Sequence, residues 1–363
     1  MGAFSMKHND PMGGIIMRHK ALALSGSVCL IMVLALLLFT PALAKSNPSA
    51  DKIEIQIYSN PFGHTTYVLS FALAEIVNKN STRVHMTCVE SKGSSANILY
   101  MQKNPAARKY TMVLANPFAV TQAAKADPPF KKPFTGLKAV SMIANNCAFL
   151  LTTNPEIKRI EDLAGKSLGL GPRGITIEYV PRFILQYGYG IFDDLGRVSY
   201  SSFDGIKNAL IDGTIDAGLQ SSAMWGEEEY KTWVPIPTTE EVLSTKKCYL
   251  VDIKEEAYKR AREKSGYPIY FLKAKAMAFG KSAAFGGNRM WWSNSWWVHE
   301  SMDDDVVSEI CSIVYEHAKE FGTYHATGRG ITPKTLPDVA VPEADFHPAA
   351  ARFFKGKGLK VGR

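Results

Sequence analysis

The sequence predicts an α/β protein of two doubly wound lobes with a ligand cleft between them. Three observations carry that expectation. Residues 53–118 read as β-α-β-α-β, the pattern of one such lobe. Residues 160–223 repeat a plan of short helix start, buried strand, small-residue loop and helix: IEDLAGKSLGLGPRGITIEYVPRFILQYGYG, then RVSYSSFDGIKNALIDGTIDAGLQSSA. Residues 137–151 form an apolar, β-compatible segment placed to cross between the two.

Residues 53–58 (IEIQIY) alternate apolar and polar and predict a strand, which the turn formers of SNPFGHTT break. Residues 67–77 (YVLSFALAEIV) have helical periodicity. Residues 84–89 predict a second strand, ESKGSS a loop, 96–103 a helix and 110–114 a third strand. Residues 125–138, rich in Pro, Lys and Phe, read as a surface connection. In the second lobe a small amphipathic helix precedes a strand at 217–220, and a further strand is expected at 233–235. Residues 240–264 read as one charged helix, and 269–279 (IYFLKAKAMAF) as a strand returning to the first lobe. Residues 303–321 are strongly amphipathic, with Asp303, Asp304 and Asp305 favouring the helix start and Gly322 ending it. Residues 329–354 read as an irregular tail. The domains expected are lobe 1 from 51–145 plus 268–330, lobe 2 from 146–267, and a tail, 331–363, packing on lobe 1.

The chain has 363 residues, 46% apolar and 21% charged, enough for two domains. Arg18, His19 and Lys20 precede an apolar run that ends in Pro41-Ala42-Leu43-Ala44, a small-x-small cleavage site. Residues 1–44 therefore read as a cleaved export signal, and the periplasm as the destination. The formal charge is +8, and loss of the signal leaves it positive. No basic run interleaved with aromatics appears, which argues against nucleic acid as a partner. Cys88, Cys147, Cys248 and Cys311 remain. Export permits disulfides, three full pairings are possible, and the apolar setting of Cys88 and Cys311 suits buried free thiols.

Candidate ligand contacts lie where loops open helices after strands. Gly63, His64, Thr65, Thr66 and Tyr67 open the first helix, whose unpaired N–H groups suit a carboxylate, although either threonine can simply cap it. Gly93, Ser94 and Ser95 make a second such start. Asn97 adds an amide that can bind ligand or serve the fold. Asn116 ends the third strand, and Phe118 can cover ligand or fill the core. In the second lobe the loop holds Gly171, Arg173, Gly174 and Thr176. Arg173 can clamp a carboxylate with two parallel bonds or point to solvent. Ser221 and Ser222 offer hydroxyls, and Trp225 a wall.

Taken together, FGHTTYVLSFALAEIVNKN, ESKGSSANILYM, IKRIEDLAGKSLGLGPRG, NALIDGTIDAGLQSSA and HPAAARFFKGKGL make the chain similar to the solute-binding subunits of TAXI-type TRAP transporters. The resemblance covers nearly all of the chain after residue 44. It implies the two-lobe, type II-like periplasmic-binding-protein fold, a solute closed in the cleft, and delivery to membrane subunits of a secondary transporter. Small carboxylates such as glutamate or 2-oxoglutarate are the implied ligand class. The family's Gly-Gly-x-Tyr-Tyr-like run is here Gly63-His64-Thr65-Thr66-Tyr67. Its Gly-Ser-Gly-Thr-like loop is here Arg173-Gly174-Ile175-Thr176-Ile177, with isoleucines in place of small or hydroxyl residues.

Trp291, Trp292, Trp296 and Trp297 fall within seven residues. They can line the cleft, form a docking patch, or pack in the core, and core packing is the expectation for two of them. No His-Glu or Cys-His spacing of catalytic type emerges, and His64, Cys147 and Glu178 stand isolated. The expectation is a binding protein without catalysis, cofactor or metal. The alternatives are a ligand-sensing subunit for a membrane kinase and an enzyme on the same scaffold.

Overall fold

The computed structural model describes residues 52–225, 232–277, 282 and 285–363. The described chain runs β1 (Ile53–Tyr58), α1 (Thr65–Asn80), β2 (Val84–Val89), α2 (Ser94–Lys103), β3 (Thr111–Ala115) and α3 (Pro117–Lys125). Then come β4 (Leu137–Thr152), β5 (Ser167–Leu170), α4 (Thr176–Phe183), β6 (Arg197–Tyr200), α5 (Phe203–Asp212) and β7 (Ala217–Trp225). The last part comprises β8 (Thr232–Pro235), α6 (Pro237–Thr245), β9 (Tyr249–Val251), α7 (Glu255–Ser265), β10 (Tyr270–Met277), β11 (Phe285–His299), α8 (Asp304–Glu316), α9 (Phe321–Tyr324) and α10 (Pro348–Gly356). Residues 1–44, read as an export signal, lie outside the described residues.

One path of strands runs β2-β1-β3-β11-β4-β7-β5-β6. β1 pairs in parallel with β2 and β3, and β5 in parallel with β6 and β7. Between these parallel sets lie β4 and β11, antiparallel to each other and to their outer neighbours. They have 16 and 15 residues, and at about 3.3 Å per residue each is roughly 50 Å long, enough to serve two lobes.

Two hydrophobic clusters sit along these strands. The first gathers Ile55, Ile57, Leu69, Leu73, Val113, Ile310 and Val314, and the second Leu151, Leu168, Leu170, Ile206, Leu219 and Val242. The change from one to the other falls between Ala144 and Cys147 on β4 and between Trp292 and Trp296 on β11. The chain is thus a two-lobe α/β protein with two crossing strands.

All four tryptophans of β11 are buried, none more than 6% exposed. This corrects the idea of a docking patch and doubles the two expected in the core. Trp296 and Trp297 belong to the first cluster, and Trp291 and Trp292 to the second. Their indoles are also anchored: Trp291 Nε1 donates to Asn145 Oδ1 at 2.7 Å, Trp296 to Ser70 Oγ at 3.2 Å and Trp297 to the Ala115 carbonyl at 3.1 Å. One crossing strand thereby fixes itself in both lobes.

Three other expectations change. Residues 240–264 are not one helix, because β9 pairs with β4 between α6 and α7. The strand at 270–277 does not itself return to the first cluster. β10 pairs with the early half of β11, Ile269 and Leu272 join the second cluster, and β11 makes the return. The tail contains α10, whose Ala349, Ala350 and Phe354 pack in the first cluster. Among the described residues no helix is long and apolar enough to cross a membrane.

Candidate functional site

The starts of α2, α3 and α4 meet through polar contacts at Asn116, and Asn60 brings the start of α1 against that of α2. His64 caps α1 with extended backbone, and its carbonyl accepts from the Tyr67 and Val68 N–H groups at 2.9 and 3.1 Å. The His64 side chain makes no capping bond and is exposed. Gly63 beside it has φ +87° and open space around it. Thr65 Oγ1 lies 3.5 Å from His325 Nε2. Thr66 is buried, and its hydroxyl accepts from the Asn60 side-chain amide. Tyr67 meets Phe62 edge-on at 5.5 Å.

Asn60 also abuts Gly93, the N-cap of α2. A Cβ on Gly93 would lie 2.7 Å from Asn60 Oδ1, and its φ of +96° is a glycine conformation. Ser94, the first residue of α2, accepts from Asn116 Nδ2 at 3.4 Å. Asn116 caps α3, its Oδ1 accepting from the Ala119 N–H at 2.9 Å. The same Oδ1 accepts from Thr176 Oγ1, the first residue of α4, at 3.2 Å. Asn116 therefore joins the starts of α2, α3 and α4, the last of them in the second lobe. The first N–H groups of a helix lack partners within it, and the dipole makes its N-terminus positive. The polar side chains between these four ends are uncharged hydroxyls and amides.

Gly171 follows β5 in a buried position, where a Cβ would come within 2.5 Å of Ile177 Cγ1. Gly174 has φ +87°, and its N–H donates to Glu178 Oε2 at 3.4 Å. Glu178 is buried but ion-paired with Arg182 at 2.6 Å, so it is not an isolated carboxylate. Arg173 is exposed, its guanidinium 4.1 Å from the centre of the Tyr200 ring. Resting on an aromatic face leaves the in-plane N–H groups available to a carboxylate. Ser95 is half-buried on the first turn of α2, beside Ser94.

Other candidates serve the fold. Asn97 is fully buried and spends its amide hydrogens on the carbonyls of Tyr58, Ser59 and Leu114, while its oxygen accepts from Ser91 Oγ. Phe118 is 2% exposed and stacked between Tyr179 and Tyr267, so it fills an aromatic core. Ser221 Oγ donates to the Cys147 carbonyl at 2.8 Å. Ser222 of β7 pairs with Cys147 of β4, and among the described residues its buried hydroxyl has no hydrogen-bond partner. No contact among the described residues ties these two serines to the four helix starts. Trp225 ends β7 opposite Thr232, and its side chain lies outside the described residues.

Sequence reasoning passed over Asn60, which reads as a turn residue before proline, and over Tyr179 and Tyr267, which read as ordinary helix and loop aromatics. A cavity of about 390 Å³ lies beside these rings, walled also by Phe183 and Tyr187.

The four cysteines among the described residues are free thiols. Burial pushes Cys88 up to about 12 and Cys248 up to about 11, and raises Cys147 and Cys311 further. Protonated thiols are poor nucleophiles and metal ligands. Among the described residues no three His, Cys, Asp or Glu side chains gather to hold a metal.

The backbone is similar to a TctC solute-binding protein from Polaromonas, at 14% identity over 84% of this chain and 96% of that one, with a TM-score of 0.48. It is also similar to MatC from Rhodopseudomonas palustris, solved with bound malate, at 13% identity over 84% and 96%, TM-score 0.44. The aliphatic sulphonate binding protein SsuA from Escherichia coli follows at 11% over 76% and 77%, TM-score 0.40. No curated protein sequence matches. A family model does match residues 57–358, from the end of β1 to just beyond α10, and the chain belongs to the NMT1-like family.

Proposed function

We propose that this chain is an exported solute-binding protein that captures a small organic acid between its lobes and delivers it to a TRAP-type secondary transporter. The observation that carries the reading is the meeting of four helix N-termini at Asn60, Ser94, Asn116 and Thr176, with three from one lobe and one from the other. A carboxylate there accepts from backbone N–H groups and hydroxyls of both lobes, and Arg173 supplies the formal positive charge from its place on Tyr200. Binding of this kind favours the closed arrangement because solute bonds both lobes at once. The TAXI-type assignment, the transporter partner and cleavage after residue 44 belong to the same reading. So does the division into lobe 1 (51–145 and 268–330), lobe 2 (146–267) and a tail (331–363) on lobe 1, except that β10 packs with the second cluster.

The test is a thermal-shift screen of residues 45–363, unfolded and refolded first to strip bound solute. The panel holds dicarboxylates, amino acids, aromatic acids and uncharged or cationic solutes of similar size. A concentration-dependent rise in melting temperature confined to acids, with the acid recovered unchanged, supports the proposal. A rise produced only by uncharged or cationic solutes, or turnover of the acid, refutes it.

A further inference from the structure

Asn116 and Phe118 reach the second lobe from a single tripeptide at the start of α3, and both land on one face of α4. Asn116 accepts from Thr176 at 3.2 Å. The Phe118 ring lies 5.0 Å from Tyr179, stacked, and 5.8 Å from Phe183, tilted. Thr176, Tyr179 and Phe183 are spaced by three and four, so they form one stripe on the helix. The other side of Phe118 stacks on Tyr267 at 4.2 Å.

A second set of contacts joins the far end of α3 to the segment after α7. The Tyr267 hydroxyl donates to the Asp127 carboxylate. Lys125 Nζ donates to the Ser265 carbonyl at 2.7 Å and sits 4.5 Å over the Tyr267 ring. Burial separates Phe118 from its own helix. Ala119 and Ala123 of α3 pack in the first cluster, whereas Phe118 belongs to the second. Opening the lobes along this seam would pull one ring of the second core into water and break three polar contacts with it.

The geometry points to a clasp, in which Phe118 and its partners on α4 and Tyr267 hold the two lobes closed before any solute arrives. Phe118 is a positioning residue: buried between Tyr179 and Tyr267, it fixes the start of α3 against the start of α4, where the solute is read to bind. The purpose of the clasp rests on the solute-binding proposal, but its existence does not, because it requires no ligand.

Small-angle X-ray scattering on the full chain expressed for export, stripped of solute, tests it. A closed wild type has a radius of gyration near the roughly 20 Å of a compact chain of this size, and Phe118→Ala raises it by about 1 Å with its helical circular dichroism retained. A stripped wild type already expanded, or a folded Phe118→Ala as compact as wild type, overturns the clasp. Should Phe118→Ala fail to fold, the pair Thr176→Val and Tyr267→Phe removes two of the three polar contacts and leaves the ring stack. Expansion of that double variant supports the clasp, and an unchanged radius overturns it. Failure of the acid screen with expansion of Phe118→Ala would remove the proposed solute and leave the clasp standing.

Discussion

Asn97→Ala should destabilise the chain by about 3 kcal/mol. The side-chain amide shares its two hydrogens among the carbonyls of Tyr58 at 3.1 Å, Ser59 at 2.8 Å and Leu114 at 2.8 Å, and its oxygen accepts from Ser91. Two hydrogens and one acceptor make three net bonds at about 1 kcal/mol each. Asn97 is 0% exposed, so bulk water does not replace what alanine removes. A loss of that size is a large part of the roughly 5–15 kcal/mol that holds a domain folded. Equilibrium urea unfolding reads it: with a slope of about 3 kcal/mol per molar, the midpoint falls by about 1 M and the slope is unchanged. Asn97→Asp keeps the shape but turns a carboxylate toward three carbonyls, and it should fall further. A midpoint shift below about 0.3 M for alanine would refute the reasoning, because the strand-end carbonyls would then have other partners.

Gly93→Ala forces a Cβ to φ +96° and to within 2.7 Å of Asn60 Oδ1, and strain of about 1–3 kcal/mol is expected, read as a lower urea midpoint together with weaker acid binding. Trp296→Ala empties a 1% exposed site and frees Ser70, with an expected loss of about 3–5 kcal/mol by the same assay. Arg173→Ala should weaken a bound carboxylate by about 1.5–3 kcal/mol in a calorimetric titration while leaving the melting temperature of stripped protein unchanged. Burial lowers the pKa of both His299 and His347 in the folded chain. The unfolded chain then binds more protons below about pH 6.5, so stability falls as pH drops below that value and levels off beneath the folded pKa values. Unfolding midpoints at pH 7.5 and pH 5 check the sign, and His347→Gln should shrink the difference.

The elements legible in the sequence were those whose pattern has a local cause. IEIQIY alternates as a half-buried strand, and residues 304–316 carry an apolar stripe behind an acidic first turn. Illegible features had non-local causes. β9 is only three residues long and exists because β4 offers an edge beyond β11, so its surroundings read as one charged helix. The tryptophans of β11 carry no label for two cores, since the change of cluster depends on where the strand crosses. At the site, glycines and small polar residues marked the starts of α1, α2 and α4, whereas Ser221 and Ser222, read as the end of a strand, lie within β7. Which of those residues faced one another did not follow from the chain. Asn97 and Asn116 are the same residue type at the same kind of place, yet one is spent on strand ends and the other links the lobes.

The central claim is that an acid binds at the meeting of the four helix starts. Its most direct test is a calorimetric titration of the acid that best protects the protein, into stripped wild type and into Asn116→Ala. Wild type should show one site per chain and the variant an affinity at least about 10-fold weaker, the loss of about 1.4 kcal/mol that one charge-assisted hydrogen bond network supplies. Equal affinity in the two proteins, with both folded, would place the solute elsewhere and contradict it.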